Sequence, residues 1–321
     1  MFFKNKRLIH GIDIGAYSLK FVSVYVKNNK IELKKAVSYK YERSIFNDGV
    51  IVRKCIIKKI LNDILTKVNI RKGKSSCALG NELVVVRNIT LPLMGKKAVE
   101  ETLLWEYSEH IPFPGDTAVT KYMVRSKNSK EMDITAVIAS KNIVNSYYSI
   151  LKDYKVNILN IQPAALLNIF EYKNISEPVL IIDIGSYSTK IIAGNSSNIF
   201  FMRNLKIGAS ELAGRDKSIA ELDEDLYITE LNQEVKRAIR FYNRNNRKRA
   251  IEKVYLTGGG AYINDIKDKV KGDNNFQVNI LKPFSDLKIS NEVDVIENKY
   301  NSSNLFTEYS VAFGLCLSEM S

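Results

Sequence analysis

Leu180 to Gly194 reads LIIDIGSYSTKIIAG, and a closely similar stretch occurs near the N-terminus, where Ile9 to Val24 reads IHGIDIGAYSLKFVSV. Both contain the pattern Asp-Ile-Gly-x-Tyr-Ser-x-Lys, at Asp13–Lys20 and again at Asp183–Lys190, about 170 residues apart. That spacing is close to the length of one domain. Because internal duplication is a strong sequence signal, the chain is predicted to consist of two related halves.

Each copy of the pattern predicts a buried strand, a tight turn and a second strand, because apolar residues flank a polar tip. Gly185 lets the backbone turn at a place where a side chain would crowd a ligand. The successive amides of such a turn would then point at one anionic group. These amides belong to Gly15, Ala16, Tyr17 and Ser18 in the first copy and to Gly185, Ser186, Tyr187 and Ser188 in the second.

The charged residues of the two copies extend this prediction to a metal-bound phosphate. Asp13 and Asp183 would lie at the mouth of the turns, where a carboxylate holds a hydrated Mg²⁺ that bridges phosphates. Lys20 and Lys190 either reach a phosphate or simply end their strands in solvent. One copy alone is more simply an ordinary hairpin with a polar turn. Two copies predict that each half brings one loop to a shared cleft.

The length and composition predict a folded chain that can form two hydrophobic cores. It has 321 residues, of which 45% are hydrophobic, and its apolar runs are too short to span a membrane. No signal peptide is predicted at Met1–Lys6, because a strand follows directly. Cys55, Cys77 and Cys316 stand singly among apolar residues, which predicts reduced core thiols in a cytoplasmic protein. Two histidines are too few to suggest a histidine-based catalytic or metal centre.

The formal net charge of +13 predicts an acidic partner, which could be nucleic acid, an anionic membrane face or a nucleotide. The charge alone does not choose among them. The densest basic run, RFYNRNNRKR at Arg240–Arg249, closes a predicted helix. A solvated helix terminus is the simpler interpretation, because cations favour the negative end of a helix.

Periodicity predicts the same order of elements in both halves, three strands and then a helix. In the first half these are Leu8–Ile14, Leu19–Val26 and Ile31–Tyr39, followed by a helix over Val52–Val68. In the second half they are Val179–Ile184, Lys190–Gly194 and Asn198–Leu205, followed by a helix over Leu226–Asn245. This duplicated α/β plan, led in each half by an Asp-Ile-Gly turn, resembles the actin-like (ribonuclease H-like) ATPase superfamily.

Three further stretches match that superfamily. VYLTGGGAYI at Val254–Ile263 is a predicted strand that runs into Gly258, Gly259 and Gly260 and then a helix, and it resembles the adenosine motif. EYSVAFGLCL at Glu308–Leu317 and LNIQPAALLNIF at Leu159–Phe170 resemble the two helices that connect the halves. Gln162 falls where actin-type proteins place a water-orienting glutamine, which makes it the candidate catalytic residue. Its alternative is a polar residue that begins a helix just before Pro163.

The segment between the two Asp-Ile-Gly motifs makes the resemblance specific to one family within the superfamily. LPLMGKKAVEETLLWEYSEHIPFP at Leu91–Pro114 and QEVKRAIRFY at Gln233–Tyr242 are similar to segments of the PilM family of pilus assembly proteins, in the branch that also holds FtsA. The resemblance implies an inserted α+β subdomain of the 1C type. The predicted divisions are 1–75 and 155–177 for subdomain 1A, 76–154 for the insertion, and 178–321 for subdomain 2A with a reduced 2B lobe. This chain lacks the family's AExxK helix, which helps to hold adenosine.

The resemblance implies a cytoplasmic scaffold at the inner face of the cell membrane that binds ATP and Mg²⁺. Its implied partner is the cytoplasmic N-terminal tail of a PilN-like bitopic membrane protein, held near the junction of 1A and 1C. Other pilus platform proteins and self-association are further expectations, and no nucleic-acid partner is expected. ATP hydrolysis is expected to be weak or absent. The alternatives are a division protein of the FtsA type and a small-molecule kinase, because one fold can host several functions.

Overall fold

Two sheets with the same strand order occupy the centre of the molecule. The computed structural model describes residues 7–28, 30–47, 49–67, 73–80, 84–107, 111, 113–209, 217–246, 249–263, 265–272, 274–289 and 306–320. The first sheet contains, from one edge to the other, β10 (Val156–Ile161), β6 (Lys74–Leu79), β1 (Arg7–Ile14), β2 (Ser18–Lys27), β3 (Lys30–Lys40) and β16 (Lys288–Ile289). The second contains β15 (Gln277–Ile280), β14 (Lys253–Thr257), β11 (Val179–Ile184), β12 (Thr189–Asn195) and β13 (Asn198–Leu205).

The register of the hairpins confirms the predicted duplication. Asp13 pairs with Lys20 across β1 and β2, and Asp183 pairs with Lys190 across β11 and β12. On its other side, β1 is parallel to β6, and β11 is likewise parallel to β14. Three antiparallel strands followed by a parallel neighbour therefore occur in both halves, so the two Asp-Ile-Gly turns occupy equivalent places.

Helices cover both sheets. They are α1 (Lys54–Lys67), α2 (Lys96–Tyr107), α3 (Lys141–Leu151), α4 (Gln162–Tyr172), α5 (Lys217–Asn245), α6 (Ile266–Lys271) and α7 (Ser310–Ser318), and a short ribbon pairs β4 (Phe46–Asn47) with β5 (Val50–Ile51). The helix predicted to begin at Leu226 begins at Lys217 instead. The added residues include good helix formers such as alanine, leucine and glutamate, so their propensity supports the longer helix.

Each of the two connecting helices, α4 and α7, packs on the sheet of the other half. α7 ends the chain but packs on β1, β2 and β6 of the first sheet, whereas α4 contacts β12 and β13 of the second. The two helices also pack on each other at backbone distance, because a Cβ added to Gly314 would lie 1.8 Å from the carbonyl oxygen of Ala165. A Cβ on Gly11 would meet the carbonyl oxygen of Ala312 at the same distance. The two stretches that resemble connecting helices are therefore in close contact with each other.

The two faces of the second sheet belong to different cores. Val179, Ile181 and Ile192 join the core that surrounds α4 and α7 and extends under the first sheet. Leu180 and Ile182 point the other way and pack with residues of α5 and α6. A strand that is buried on both faces reads as a continuous apolar run, which explains the sequence of β11.

The inserted unit is smaller than the sequence suggested. Its own sheet has the order β7 (Val84–Pro92), β9 (Glu131–Ser140) and β8 (Ala118–Lys127), and it shares a separate small core with α2. β6 lies in the middle of the first sheet, and α3 packs into the first core. The unit with its own sheet therefore spans residues 84–140, and the predicted limits at 76 and 154 include elements of the first half. Because β6 lies between β10 and β1, removing the chain from residue 76 onward would take away most of a central strand of the first sheet.

One side chain fastens the inserted unit to the second half. The Nδ2 group of Asn88 on β7 donates hydrogen bonds to the carbonyl oxygens of Ile199 (2.8 Å) and Phe200 (2.7 Å) on the edge strand β13. The hydroxyl of Thr135 donates to Oδ1 of Asn88 at 2.6 Å. This second contact holds the amide in the orientation that the two carbonyls require.

The cysteines differ from the prediction at one position. Cys77 and Cys316 are buried, and burial raises the pKa of both thiols, but Cys55 is exposed. The buried stripe of α1 consists of Ile57, Leu61 and Ile64. Cys55 precedes that stripe by two residues, which is about 200° around a helix, so it faces away from the core.

A membrane-crossing helix does not occur among the residues that the structure describes, since none of their helices is sufficiently long and apolar. The strand at Arg7–Ile14 lies in the interior of the first sheet, between β2 and β6.

Candidate functional site

A single cleft collects most of the residues that the sequence singled out. The two Asp-Ile-Gly turns contribute to its lining from opposite halves, and Gln162 and the glycine turn after β14 complete it. The predicted residues that line the cleft are Asp13, Gly15, Ala16, Tyr17, Lys20, Gln162, Asp183, Gly185, Ser186, Tyr187, Ser188, Lys190, Gly258 and Gly259. Ser18 and Gly260 are the predicted residues that do not line it, and both are buried.

Each aspartate of the cleft has a lysine of its own. The ammonium group of Lys20 lies 4.0 Å from Oδ2 of Asp13, and that of Lys190 lies 3.6 Å from Oδ2 of Asp183. Cross-strand pairing produces both contacts, because directly opposed residues of a hairpin point to the same face. The lysines therefore stand inside the cleft beside the carboxylates and do not end their strands in solvent.

The carboxyl group of Asp13 has a raised pKa. Burial raises its pKa, and the negative charge of Asp183 adds to this effect, while Lys20 and Lys190 oppose it. Nε2 of Gln162 donates a weak hydrogen bond of 3.4 Å to Oδ1 of Asp13. The other amide atom of Gln162, Oε1, is buried and accepts no hydrogen bond from the described residues. A buried acceptor of this kind calls for a water or a ligand atom.

The turns present fewer amides than predicted. The amide of Gly15 donates to the carbonyl oxygen of Ser18 (3.2 Å), and that of Gly185 donates to Ser188 (3.0 Å). These two amides close their own hairpins, so the amides left for an anion lie at the tips of the turns. Neither glycine has a positive φ. Glycine is required at 185 because a Cβ would approach the carbonyl oxygen of Ser188 to 2.8 Å.

The glycine turn after β14 is built differently from the prediction. Gly259–Tyr262 form a 3-10 helix, and the α-helix begins only at Ile266. Gly258 has a φ of +84°, and a Cβ there would lie 2.6 Å from Oδ1 of Asp183. A Cβ on Gly259 would meet no atom within 4 Å, whereas one on Gly260 would collide with Ile184. Gly258 and Gly259 thus leave space beside Asp183, and Gly260 serves packing.

Sequence reasoning missed two residues that precede α7. The hydroxyl of Thr307 donates to the carbonyl oxygen of Gly258 (2.8 Å), and the amide of Gly258 donates back to the carbonyl of Thr307 (3.3 Å). Glu308 lines the cleft, where burial raises the pKa of its carboxyl group and Lys20 opposes that rise. Glu308 begins the stretch that resembles the connecting helix and Thr307 directly precedes it, and that position was the signal that could have identified them.

A nucleotide polyphosphate fits the chemistry of these residues. Lys20 and Lys190 line the same cleft from opposite halves, together with the tips of both turns, so cationic groups and backbone amides are available to phosphate oxygens there. The unpaired acceptor of Gln162, Oε1, suits a bound water, because phosphate oxygens have no hydrogen to donate. No group of three or more acidic, histidine or cysteine side chains that could hold a metal ion occurs within the described ranges. Asp13 and Asp183 are the residues that would hold Mg²⁺ here, as a hydrated ion that would neutralise phosphate charge.

Comparison with known proteins gives one family and one fold. Residues 11–225 and 220–320 match the model of the family described as type IV pilus assembly protein PilM. A chain of the PilM-PilN type IV pilus biogenesis complex is 21% identical, with 99% of both chains covered and a TM-score of 0.80. The ethanolamine utilization protein EutJ from Carboxydothermus hydrogenoformans is 13% identical, with 98% of this chain and 90% of that chain covered and a TM-score of 0.55.

A search of curated proteins finds no match to this sequence. The structural matches nevertheless extend over nearly the whole chain, including the inserted unit and both sheets. They confirm the predicted duplicated actin-like ATPase fold.

Proposed function

Because this chain belongs to the family of type IV pilus assembly proteins PilM, we propose that it is a scaffold of the pilus assembly platform at the inner face of the cell membrane. In this proposal it binds Mg-ATP in the cleft and the cytoplasmic tail of a PilN-like membrane protein on the inserted unit. The family match along residues 11–225 and 220–320 is the observation that carries the proposal. Neither alternative, a division protein or a small-molecule kinase, is favoured by that family.

The tail is proposed to dock where the inserted unit meets the first half. β8 is an edge strand of the small sheet, and in the described part of the chain only β9 pairs with it. α3, whose buried side belongs to the first core, contacts β8. Met123 and Val124 on β8 are 52% and 41% exposed. An edge strand with exposed apolar side chains suits an extended peptide, because its backbone offers hydrogen bonds and its side chains offer anchors.

Replacing Met123 with glutamate should therefore weaken tail binding about tenfold or more, because it places a charge where an apolar anchor is proposed. The measurement is fluorescence anisotropy with a labelled peptide of the cytoplasmic N-terminus of the PilN-like protein. Leu226→Glu on α5 is the matched control, since Leu226 is 59% exposed and belongs to the second half. Full affinity in the Met123 variant would refute docking at β8.

ATP turnover is proposed to be slow or absent. Phosphoryl transfer requires that water, metal and nucleotide be positioned together. Residues 206–216 alone separate β13 from α5, which leaves little chain for a lobe that clamps adenosine. Among the described residues, the side chain of Gln162 makes only the weak hydrogen bond from Nε2 to Asp13, and its Oε1 has no partner.

Steady-state phosphate release should consequently remain far below the roughly 1–100 s⁻¹ of kinases, and Gln162→Ala should leave it unchanged. A coupled phosphate assay on the purified chain makes the measurement. Rapid release that disappears in the Gln162 variant would contradict this proposal and give Gln162 a catalytic role.

A further inference from the structure

The two turns carry the same aromatic residue at the same place. Tyr17 and Tyr187 are the second tip residues of their hairpins, and both line the cleft. They are 42% and 56% exposed, so each ring is partly covered and partly open to solvent. A large aromatic side chain at an exposed tip in both halves is not required by the turn, because the tip residues have no positive φ and no core to fill.

The backbone that presents each tyrosine is fixed on more than one side. The carbonyl oxygen of Tyr17 accepts a hydrogen bond from the amide of Tyr41 (3.1 Å), and the first hairpin is closed by Gly15. In the second turn the amide of Ala209 donates to the carbonyl of Gly185 (2.8 Å), and Gly208 packs against Ser186. Both tips are thus held in place by the segment that follows the third strand of their own half.

The chemistry around the rings favours an anion. The ammonium group of Lys40 lies 4.6 Å from the centre of the Tyr17 ring, and the less exposed Lys20 and Lys190 (16% and 12%) line the same cleft. Neither phenol hydroxyl has a hydrogen-bond partner within the residues that the structure describes. A phenol donates a hydrogen bond at neutral pH. Since the amides of Gly15 and Gly185 close their own hairpins, such donors add to what the tips can offer.

We propose that Tyr17 and Tyr187 each donate a hydrogen bond from the phenol hydroxyl to the terminal phosphate of a nucleoside triphosphate, one from each half of the protein. This assignment rests on the proposed function, because it names which atoms of this chain select the ligand. In this proposal the more buried lysines, Lys20 and Lys190, hold the inner phosphates, and the more exposed tyrosines contact the outermost one. The tyrosines thereby distinguish a triphosphate from a diphosphate.

The test is isothermal titration calorimetry of Mg-ATP and Mg-ADP with the wild-type chain and with Tyr17→Phe, Tyr187→Phe and the double variant. Phenylalanine keeps the ring and removes only the donor, so the fold is preserved. Each single variant should bind Mg-ATP about tenfold more weakly, since a hydrogen bond to a charged group is lost. Affinity for Mg-ADP should stay within about twofold. Tyr148→Phe is the control, because Tyr148 is exposed on α3 outside the cleft.

Each outcome decides a different point. Unchanged Mg-ATP affinity in all three variants, with normal binding by the wild type, overturns the tyrosine assignment and leaves the proposed function intact. Equal losses for Mg-ATP and Mg-ADP overturn the assignment to the terminal phosphate. A wild-type chain that binds neither nucleotide contradicts nucleotide binding in the proposed function itself, and the tyrosine assignment fails with it.

Discussion

Replacing Asp183 with asparagine should weaken the binding of Mg-ATP about a hundredfold, which corresponds to roughly 2.7 kcal/mol. The carboxylate is buried in the cleft beside Lys190. In the proposed function it is one of two acids that hold a hydrated Mg²⁺. Asparagine has nearly the same shape but no charge, so the loss reports the charge. Calorimetry with Mg²⁺ in excess gives the affinity.

The same variant should respond in the opposite direction without Mg²⁺. Free ATP carries several negative charges, and Asp183 then only repels them, so Asp183→Asn should bind metal-free ATP as well as the wild type or better. Asp153→Asn is the control, because Asp153 forms an exposed ion pair with Lys58 away from the cleft. If wild type and Asp183→Asn bind Mg-ATP equally, the metal role of Asp183 is wrong.

The second large effect concerns stability. Gly314→Ala should lower the free energy of unfolding by about 3 kcal/mol or more, because α4 and α7 must move apart to admit one methyl group. The added Cβ would lie 1.8 Å from the carbonyl oxygen of Ala165, and backbone cannot rotate away as a side chain can. For a chain of 321 residues, whose unfolding entropy is about 2.1 cal/mol/K per residue, the melting temperature should fall by roughly 4–5 °C or more. Thermal unfolding followed by circular dichroism measures it.

Two companion variants make the stability test specific. Gly11→Ala should be about as damaging, since its Cβ would meet the carbonyl oxygen of Ala312 on the same helix. Gly95→Ala should be nearly neutral, because no atom lies within 4 Å of the added carbon. An unchanged melting temperature for Gly314→Ala would show that α4 and α7 are not in backbone contact in solution.

Local patterns identified the hairpins well, because their information lies within a few residues. The strands Val179–Ile184 and Asn198–Leu205 were predicted with the limits that the structure has. The apolar runs and the polar tips of the Asp-Ile-Gly stretches determine where each strand stops. The residues that gather at the cleft could be named for the same reason, since the duplication implied that both tips face one site.

The sequence did not predict which strands pair when they lie far apart in the chain. β6 was assigned to the inserted unit because nothing in KSSCAL states that its parallel neighbours are β1 and β10. Parallel strands are joined by long crossovers, so their partners are not sequence neighbours. The closing hydrogen bonds of Gly15 and Gly185 were missed for a related reason, because they depend on the conformation of the whole turn and not on residue type.

The side-chain amide of Asn88 restricts how the two halves can move relative to each other. Both chain ends of the inserted unit connect to the first half. Asn88 of this unit also donates two hydrogen bonds to β13 of the second half. This contact therefore joins the halves in addition to the packing of α4 on α7 and the pairing of β16 with β3. Any motion that draws β13 away from β7 must break both bonds, at a cost of about 1 kcal/mol each. The two hydrogen bonds of Asn88 therefore oppose any separation of the inserted unit from the second half.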